Sequence, residues 1–306
     1  MSITLTQLRS FLAVTRTGSV TGAAEELVVT QPSVSAAIAA LSKEVGVPLT
    51  ERMGRTIRTS AAGEAFMPYA SDVIGLLEQG RLAAQEVAAV TDRQVRIAAV
   101  TTAAEHIVPP LMQAFSVAHP DVTLTLEVGN RGRAFAAAAD HTADVAVGGR
   151  PPTDGRLTGV PFMENEIVLI APPGDPLAGR RRVPVDKLAE RVWLLREEGS
   201  GTRAMTERFL RGHDLSPQML TLGSNGAIKQ SSRAGLGVSL QARAAVELEL
   251  DAGLLSEIRP QVDLPQRHWY ILRSAVGPVR EAVGAFVDFV CNPEAQRAVQ
   301  AGGSPV

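Results

Sequence analysis

The sequence predicts an α/β protein with an all-helical N-terminal segment, and three observations carry that prediction. Beyond about residue 92, short β-rich runs alternate with helical stretches, the pattern of parallel sheets covered by helices on both faces. The first 60 residues read instead as short helices with sharp stops. Between the two parts, 61–91 carries one long helical periodicity. At 306 residues the chain has room for about two domains of roughly 150 residues each. Its 45% apolar and 20% charged residues exclude a disordered chain. Thirty basic against 32 acidic side chains leave a net charge of -2, so any nucleic-acid surface has to be a local patch. The single cysteine, Cys291, excludes a disulfide framework and a multi-thiolate metal site. No apolar run reaches the ~18 residues of a membrane span. Gln7 and Arg9 interrupt the first ten residues, which therefore carry no signal-peptide pattern; a cytoplasmic location is expected.

Ser19 is a good N-cap, and Val20, Ala23, Ala24 and Leu27 follow it at helical spacing. After Val28 and Val29 a second start appears at Thr30-Gln31-Pro32, with a cap candidate and a proline tolerated in the first turn. The next helix has Val34, Ile38, Leu41 and Val45 on one side and stops at Gly46. Two helices joined by a turn of three to four residues form a helix-turn-helix. With the apolar side turned inward, the second helix presents Pro32, Ala36, Ala39 and Lys43, flanked by Ser33, Ser35 and Ala40. Small side chains let a helix backbone approach base edges. Gln31, Ser33 and Ser35 can hydrogen-bond bases or phosphates there, and alanine or proline carbons can touch thymine methyls. Six basic residues against four acidic ones make this segment locally positive. Lys43, Arg52, Arg55 and Arg58 are the candidates for phosphate or a flanking minor groove.

In 61–91 the residues Phe66, Ala70, Val73, Leu77, Gly80, Ala84 and Val87 repeat at alternating spacings of four and three, a heptad seam. Such a seam suits a linker helix that pairs with a second copy of itself. Strand candidates follow at 94–100, 122–128, 143–147, 166–170, 192–195, 237–240 and 269–272. Helices are expected at 105–118, 202–211, 228–234, 242–252 and 279–291. About 200 residues of alternation exceed one compact sheet, so two α/β lobes are expected. The run Glu197-Glu198-Gly199-Ser200-Gly201-Thr202-Arg203 leads from a strand into a helix start, where backbone N–H groups, two hydroxyls and an arginine can hold an anion. Thr101 and Thr102 repeat that arrangement, Ser224-Asn225-Gly226 precedes another helix, and Gly148-Gly149-Arg150 closes a strand. Four such strand ends can face one cleft.

The stretch Gly18-Ser19-Val20, Ala23-Ala24, Leu27, Thr30-Gln31-Pro32-Ser33-Val34-Ser35, Ile38, Leu41, Gly46-Val47-Pro48-Leu49, Arg52, Thr59 and Ala62-Gly63 closely resembles the winged helix-turn-helix of LysR-type transcriptional regulators. Thr50 stands where that family usually has phenylalanine, Ser42 where it has glutamate, and Ala36 and Ala37 where arginine or glutamine is common. Further on, Gly199-Ser200-Gly201-Thr202-Arg203, Ser224-Asn225 with Ile228-Lys229, and Gly235-Leu236-Gly237-Val238-Ser239 are similar to the branch that regulates RuBisCO (carbon-fixation) operons.

The resemblance implies a winged helix-turn-helix in 1–60, a long dimerising linker helix in 61–91 and a two-lobed, periplasmic-binding-protein-like effector domain in 92–306. Lobe I would comprise 92–165 and 266–306, and lobe II 166–265. On the DNA side it points to Ser19, Thr30, Gln31, Pro32, Ser33, Ser35, Ala36, Lys43, Arg52 and Arg55. For the effector it points to Thr101, Thr102, Ser200, Gly201, Thr202, Arg203 and Asn225, and that branch responds to phosphorylated or anionic metabolites. The expected partners are double-stranded operator DNA, further copies of the chain in a dimer or tetramer, and RNA polymerase. No membrane, metal or cofactor beyond a small anionic effector is expected.

Two other classes fit less well. The chain has no G-x-S-x-G elbow, no H-E-x-x-H and no G-x-x-x-x-G-K-[ST] loop, and its five histidines show no metal-ligand spacing, so catalysis has no support. A transporter's solute-binding protein would account for the second half but would need export, and would leave the helix-turn-helix without a purpose.

Overall fold

Caps at both ends define each short helix of the N-terminal part in the computed structural model, which describes residues 2–53, 56–88 and 93–300. Helix α1 (Leu5–Thr17) begins at a capping box in which Thr4 and Gln7 satisfy one another's backbone N–H, and ends on Gly18 at φ 65°. Ser19 caps α2 (Val20–Leu27) by accepting from Gly22 N–H, and Thr30 caps α3 (Gln31–Val45) by accepting from Ser33 N–H. Gly46 at φ 86° stops α3. A hairpin follows, β1 (Thr50–Met53) antiparallel to β2 (Thr56–Thr59), and then the long α4 (Ala61–Val87). Phe11, Leu41 and Leu49 are wholly buried in one cluster that Phe66 of α4 joins through a ring contact with Phe11. A Cβ on Gly63 would lie 2.0 Å from the Leu49 carbonyl oxygen, so only glycine lets α4 start this close to the hairpin. Of the predicted seam, Ala70 is buried, while Val73, Leu77, Gly80, Ala84 and Val87 are exposed on the single chain.

The chain divides into two units, this one and a second that runs from 93 onward without 140–142 and 276–278. In order, the second contains β3 (Arg93–Val100), α5 (Thr101–His106), α6 (Val108–Ala118), β4 (Val122–Gly129), α7 (Arg131–Ala139), β5 (Val145–Gly148) and β6 (Leu157–Glu164). Then come β7 (Ile167–Ala171), α8 (Asp186–Ala189), β8 (Trp193–Leu195), α9 (Gly201–Gly212), β9 (Met219–Thr221) and α10 (Asn225–Arg233). It finishes with β10 (Ser239–Ala242), α11 (Glu247–Asp251), β11 (Ser256–Ile258), β12 (His268–Ser274), α12 (Glu281–Cys291) and α13 (Pro293–Gln300). One lobe is built on the sheet β4-β3-β5-β12-β6. Alternation along β3 sends Val95, Ile97 and Ala99 into a core shared with α6 and α12, and Ala98 toward Phe135 of α7 on the other face. The second lobe holds β10-β7-β11 and the pair β8-β9. Trp193, fully buried, donates its Nε1–H to the Leu188 carbonyl at 2.9 Å.

Several expectations need correction. The strand pairings are mixed, not all parallel: among the described strands β3/β4, β3/β5 and β8/β9 run parallel, whereas β12 returns from the second lobe antiparallel to β5 and β6, and β7 lies antiparallel to both neighbours. The predicted helix 105–118 is two helices that meet at Ile107, where Pro109 and Pro110 open the second. Helices α7, α8 and α13 and strands β6, β9 and β11 had no prediction. Much of 242–252 is a short 3-10 turn followed by α11.

Asp144 is the charged centre of the first lobe. Its carboxylate, 1% exposed, meets the Arg96 guanidinium at 2.9 Å and Arg280 at 2.8 Å, and accepts from Arg96 N–H at 2.8 Å. Burial alone would raise its pKa, but the bonds to Arg96 and the charges of Arg96 and Arg280 outweigh it and hold the carboxyl below the usual range. The lowered native value means that this stability is complete above the unfolded pKa of about 4 and is lost as the pH falls through the native one. Asp144→Asn, which strands two arginines, is expected to cost about 3 kcal/mol in urea unfolding at pH 7, with a smaller deficit at pH 3. An equal deficit at both pH values would contradict this.

Candidate functional site

Helix α3 presents the predicted face. Val34, Ile38 and Leu41 are buried, whereas Gln31, Pro32, Ser33, Ser35, Ala36, Ala39 and Lys43 are exposed. Thr30 and Ser33 are joined hydroxyl to hydroxyl at 2.8 Å at the helix start. Ser19, half-buried, is occupied in capping α2. Ser42 accepts from Leu49 N–H at 3.3 Å, tying α3 to the hairpin in a way that a larger residue at 42 would not reproduce. In the hairpin, Arg52 pairs in register with Ile57 and Arg58 with Glu51, so the two exposed arginines emerge on opposite faces. Arg55 lies outside the described residues.

In the second unit, the ends of β3 and β5, the start of β7 and the loop from β8 to α9 converge on one cavity of about 40 Å³. That is room for roughly three waters at about 10–15 Å³ each. Of the predicted effector residues, Thr101, Thr102, Ser200, Gly201 and Thr202 line it. Ser200 caps the twelve-residue α9 by accepting from Thr202 N–H, so the positive end of that helix borders the cavity. Arg203 is not among the lining residues. Its guanidinium is held by Glu207 one turn along α9 at 2.8 Å, and by the Arg196 carbonyl and Thr221 hydroxyl at 3.4 Å each. Asn225 also stands behind the wall, buried and bonded to Thr102.

The residues without a prediction supply most of the charge. Arg196 and Glu197 line the cavity as a two-pronged ion pair, with Nε–Oε2 at 2.7 Å and Nη2–Oε1 at 2.9 Å. Arg131 also lines it, with its guanidinium 4.6 Å from the Phe135 ring centroid and bonded to the Arg150 carbonyl at 2.8 Å. Arg267 lies where the chain passes from lobe II back to lobe I. Its carbonyl accepts from the N–H of Asn165, which lies on the outgoing passage, at 2.9 Å. Among the described residues neither Arg131 nor Arg267 pairs with a carboxylate, and Arg267 has only Met205 Sδ at 3.7 Å. Burial, and then the like charges of Arg131 and Arg208, lower the Arg267 pKa, so its cation is held at a cost. A Cβ on Gly149 would lie 2.9 Å from Arg267 Nη2, so glycine there leaves the guanidinium its space. Among the described residues no group of histidine, cysteine and carboxylate side chains could hold a metal, and no helix is long and apolar enough to cross a membrane.

A helix-turn-helix with an exposed small-residue face, followed by a two-lobed α/β domain enclosing a cavity, defines a DNA-binding regulator with a ligand-binding module. Two family models match: the bacterial regulatory helix-turn-helix protein of the lysR family over 5–64, and the LysR substrate binding domain over 88–292. A RuBisCO operon transcriptional regulator of Allochromatium vinosum is 35% identical over 97% of this chain and 98% of its own. The HTH-type transcriptional activator CmpR of Synechocystis sp. is 32% identical over 94% of each. Among solved structures, the regulatory domain of Synechocystis PCC6803 CcmR in complex with 2-PG is 28% identical, covers 65% of this chain and 95% of that one, and superposes with a TM-score of 0.61. A full-length OxyR variant from Pseudomonas aeruginosa shares the fold at a TM-score of 0.68 and 21% identity over 95% of each chain. The chain belongs to the LysR family of transcriptional regulators, and it is not an enzyme.

Ser35→Glu on the exposed face of α3 is expected to lower affinity for operator DNA by at least about tenfold while the melting temperature stays unchanged. Fluorescence anisotropy against operator and scrambled duplexes measures it; undiminished specific binding would remove Ser35 from the DNA-contact set.

Proposed function

We propose that the chain is a homo-oligomeric cytoplasmic regulator that binds operator DNA through α3 and the β1–β2 hairpin and senses a small anionic metabolite between its two lobes. The observation that carries this reading is the pair of guanidiniums, Arg131 and Arg267, that line the cavity beside the N-terminus of α9 without an ion-pair contact to a carboxylate among the described residues; Arg131 feels the charge of Asp154, and Arg267 only like charges. Arg196 is already matched by Glu197 and Arg131 is partly offset by Asp154, so Arg267 is the cation left for a ligand, with hydroxyls from Thr101, Thr102, Ser200 and Thr202 to orient an oxyanion. The 2-PG held by the CcmR regulatory domain agrees with that chemistry.

Self-association is supported by α4, whose exposed Val73, Leu77 and Val87 lie on the seam, next to exposed Tyr69. Ligand would favour one relative angle of the two lobes and so, through the oligomer, the spacing of paired heads and the bend of the DNA. RNA polymerase is the remaining expected partner of such a regulator.

Isothermal titration with 2-PG and with inorganic phosphate tests the sensing half. Arg267→Met removes a charge-assisted contact and is expected to weaken binding by about ten- to a hundredfold, with DNA binding in the absence of anion unchanged. An unaltered titration would place the effector elsewhere.

A further inference from the structure

One chain of hydrogen bonds crosses from lobe II to lobe I immediately behind the cavity. Arg196 Nη1 donates to Asn225 Oδ1, and Asn225 Nδ2 donates to Thr102 Oγ1 at 3.0 Å, with Glu105 Oε2 at 3.5 Å beside it. Asn225, 2% exposed, is the first residue of α10 in lobe II; Thr102 and Glu105 belong to α5 in lobe I.

The donor and acceptor roles in this chain are forced. A guanidinium has no acceptor, so Asn225 must turn its oxygen to Arg196, and its amide nitrogen then faces Thr102. The Thr102 oxygen is therefore an acceptor, and its own proton is left to be donated elsewhere. Among the described residues nothing takes that proton, while Thr102 lines the cavity. An oxyanion there is the acceptor that completes the chain.

Resting on the reading of the cavity as an anion site, we infer that Asn225 is a positioning residue. It fixes the Thr102 hydroxyl as a donor toward the bound anion, and the anion in return strengthens the bond between Thr102 and Asn225 that joins the lobes. Each donor along Arg196, Asn225, Thr102 and the anion polarises the next, so filling the cavity tightens a contact between lobes that the anion does not itself make. Occupancy thereby reaches α10 without any ligand contact in that helix.

The test is a double-mutant cycle on anion affinity in the full chain, by isothermal titration with 2-PG and with inorganic phosphate. Asn225→Asp keeps an acceptor toward Arg196 but demands the Thr102 proton for itself. Thr102→Val removes the hydroxyl. Each is expected to weaken binding about tenfold, and the double variant no more than either alone. Thr102→Ser, which keeps the hydroxyl, is expected to bind as the parent does. Asn225→Ala, which places no new charge beside Glu105, supplies the same leg of the cycle if the aspartate variant does not fold. Losses that multiply in the double variant, or a Thr102→Ser variant as weak as Thr102→Val, would overturn the positioning role while leaving the anion site standing. A parent chain that binds neither anion would overturn the anion site itself, and the relay with it.

Discussion

In the second unit the polypeptide passes between its two lobes twice, at Asn165 and at Arg267, and the cavity answers to that double passage. The N–H of Asn165 donates to the Arg267 carbonyl, so the two connections run side by side as one strap. Because the chain must come back, β12 enters the first sheet between β5 and β6 and runs antiparallel to both. The ends of β3 and β5 on one side and the loop before α9 on the other then open toward the strap. A side chain on the strap is in the cavity by construction, and Arg267 is such a side chain. The cation proposed to hold a ligand therefore sits on one of the two connections between the lobes.

The first unit obeys a simpler constraint. Each of its short helices is too brief to persist alone, and each opens on a side-chain cap and closes on a left-handed residue, Gly18, Val28 or Gly46, while its apolar side meets the others. Rigidity of this kind matters because α3 has few long side chains on its exposed face. With alanines at 36, 37, 39 and 40, recognition depends on how closely the backbone is presented, and the buried Val34, Ile38 and Leu41 set that presentation.

Legibility in the sequence followed locality. The cap residues Ser19 and Thr30, the stop at Gly46 and the inward row of α3 are signals contained within a few residues, and each lies where it was expected. The five lining residues Thr101, Thr102, Ser200, Gly201 and Thr202 were visible for the same reason, as strand ends that run into helix starts. Arg131, Arg196 and Arg267 were not. They lie far apart in the chain, carry no motif of their own, and become neighbours only through the double passage. An isolated arginine just ahead of the apolar run Trp269-Tyr270-Ile271-Leu272 was the one available hint. Arg203 lies outside the small cavity, paired with Glu207 one helical turn further, and instead borders the more open depression that shares Arg131, Ser200 and Gly201 with it.

The register of the hairpin has a consequence for how firmly the head is drawn to a duplex. Arg58 lies directly across from Glu51, and Arg52 across from Ile57 on the opposite face. Among the described residues, a polyanion meeting the face of Arg52 finds no carboxylate across from it, while the face of Arg58 brings Glu51. Each face of the hairpin therefore offers a duplex one of these two arginines rather than both, and the displacement of condensed cations by the pair is smaller than their number suggests.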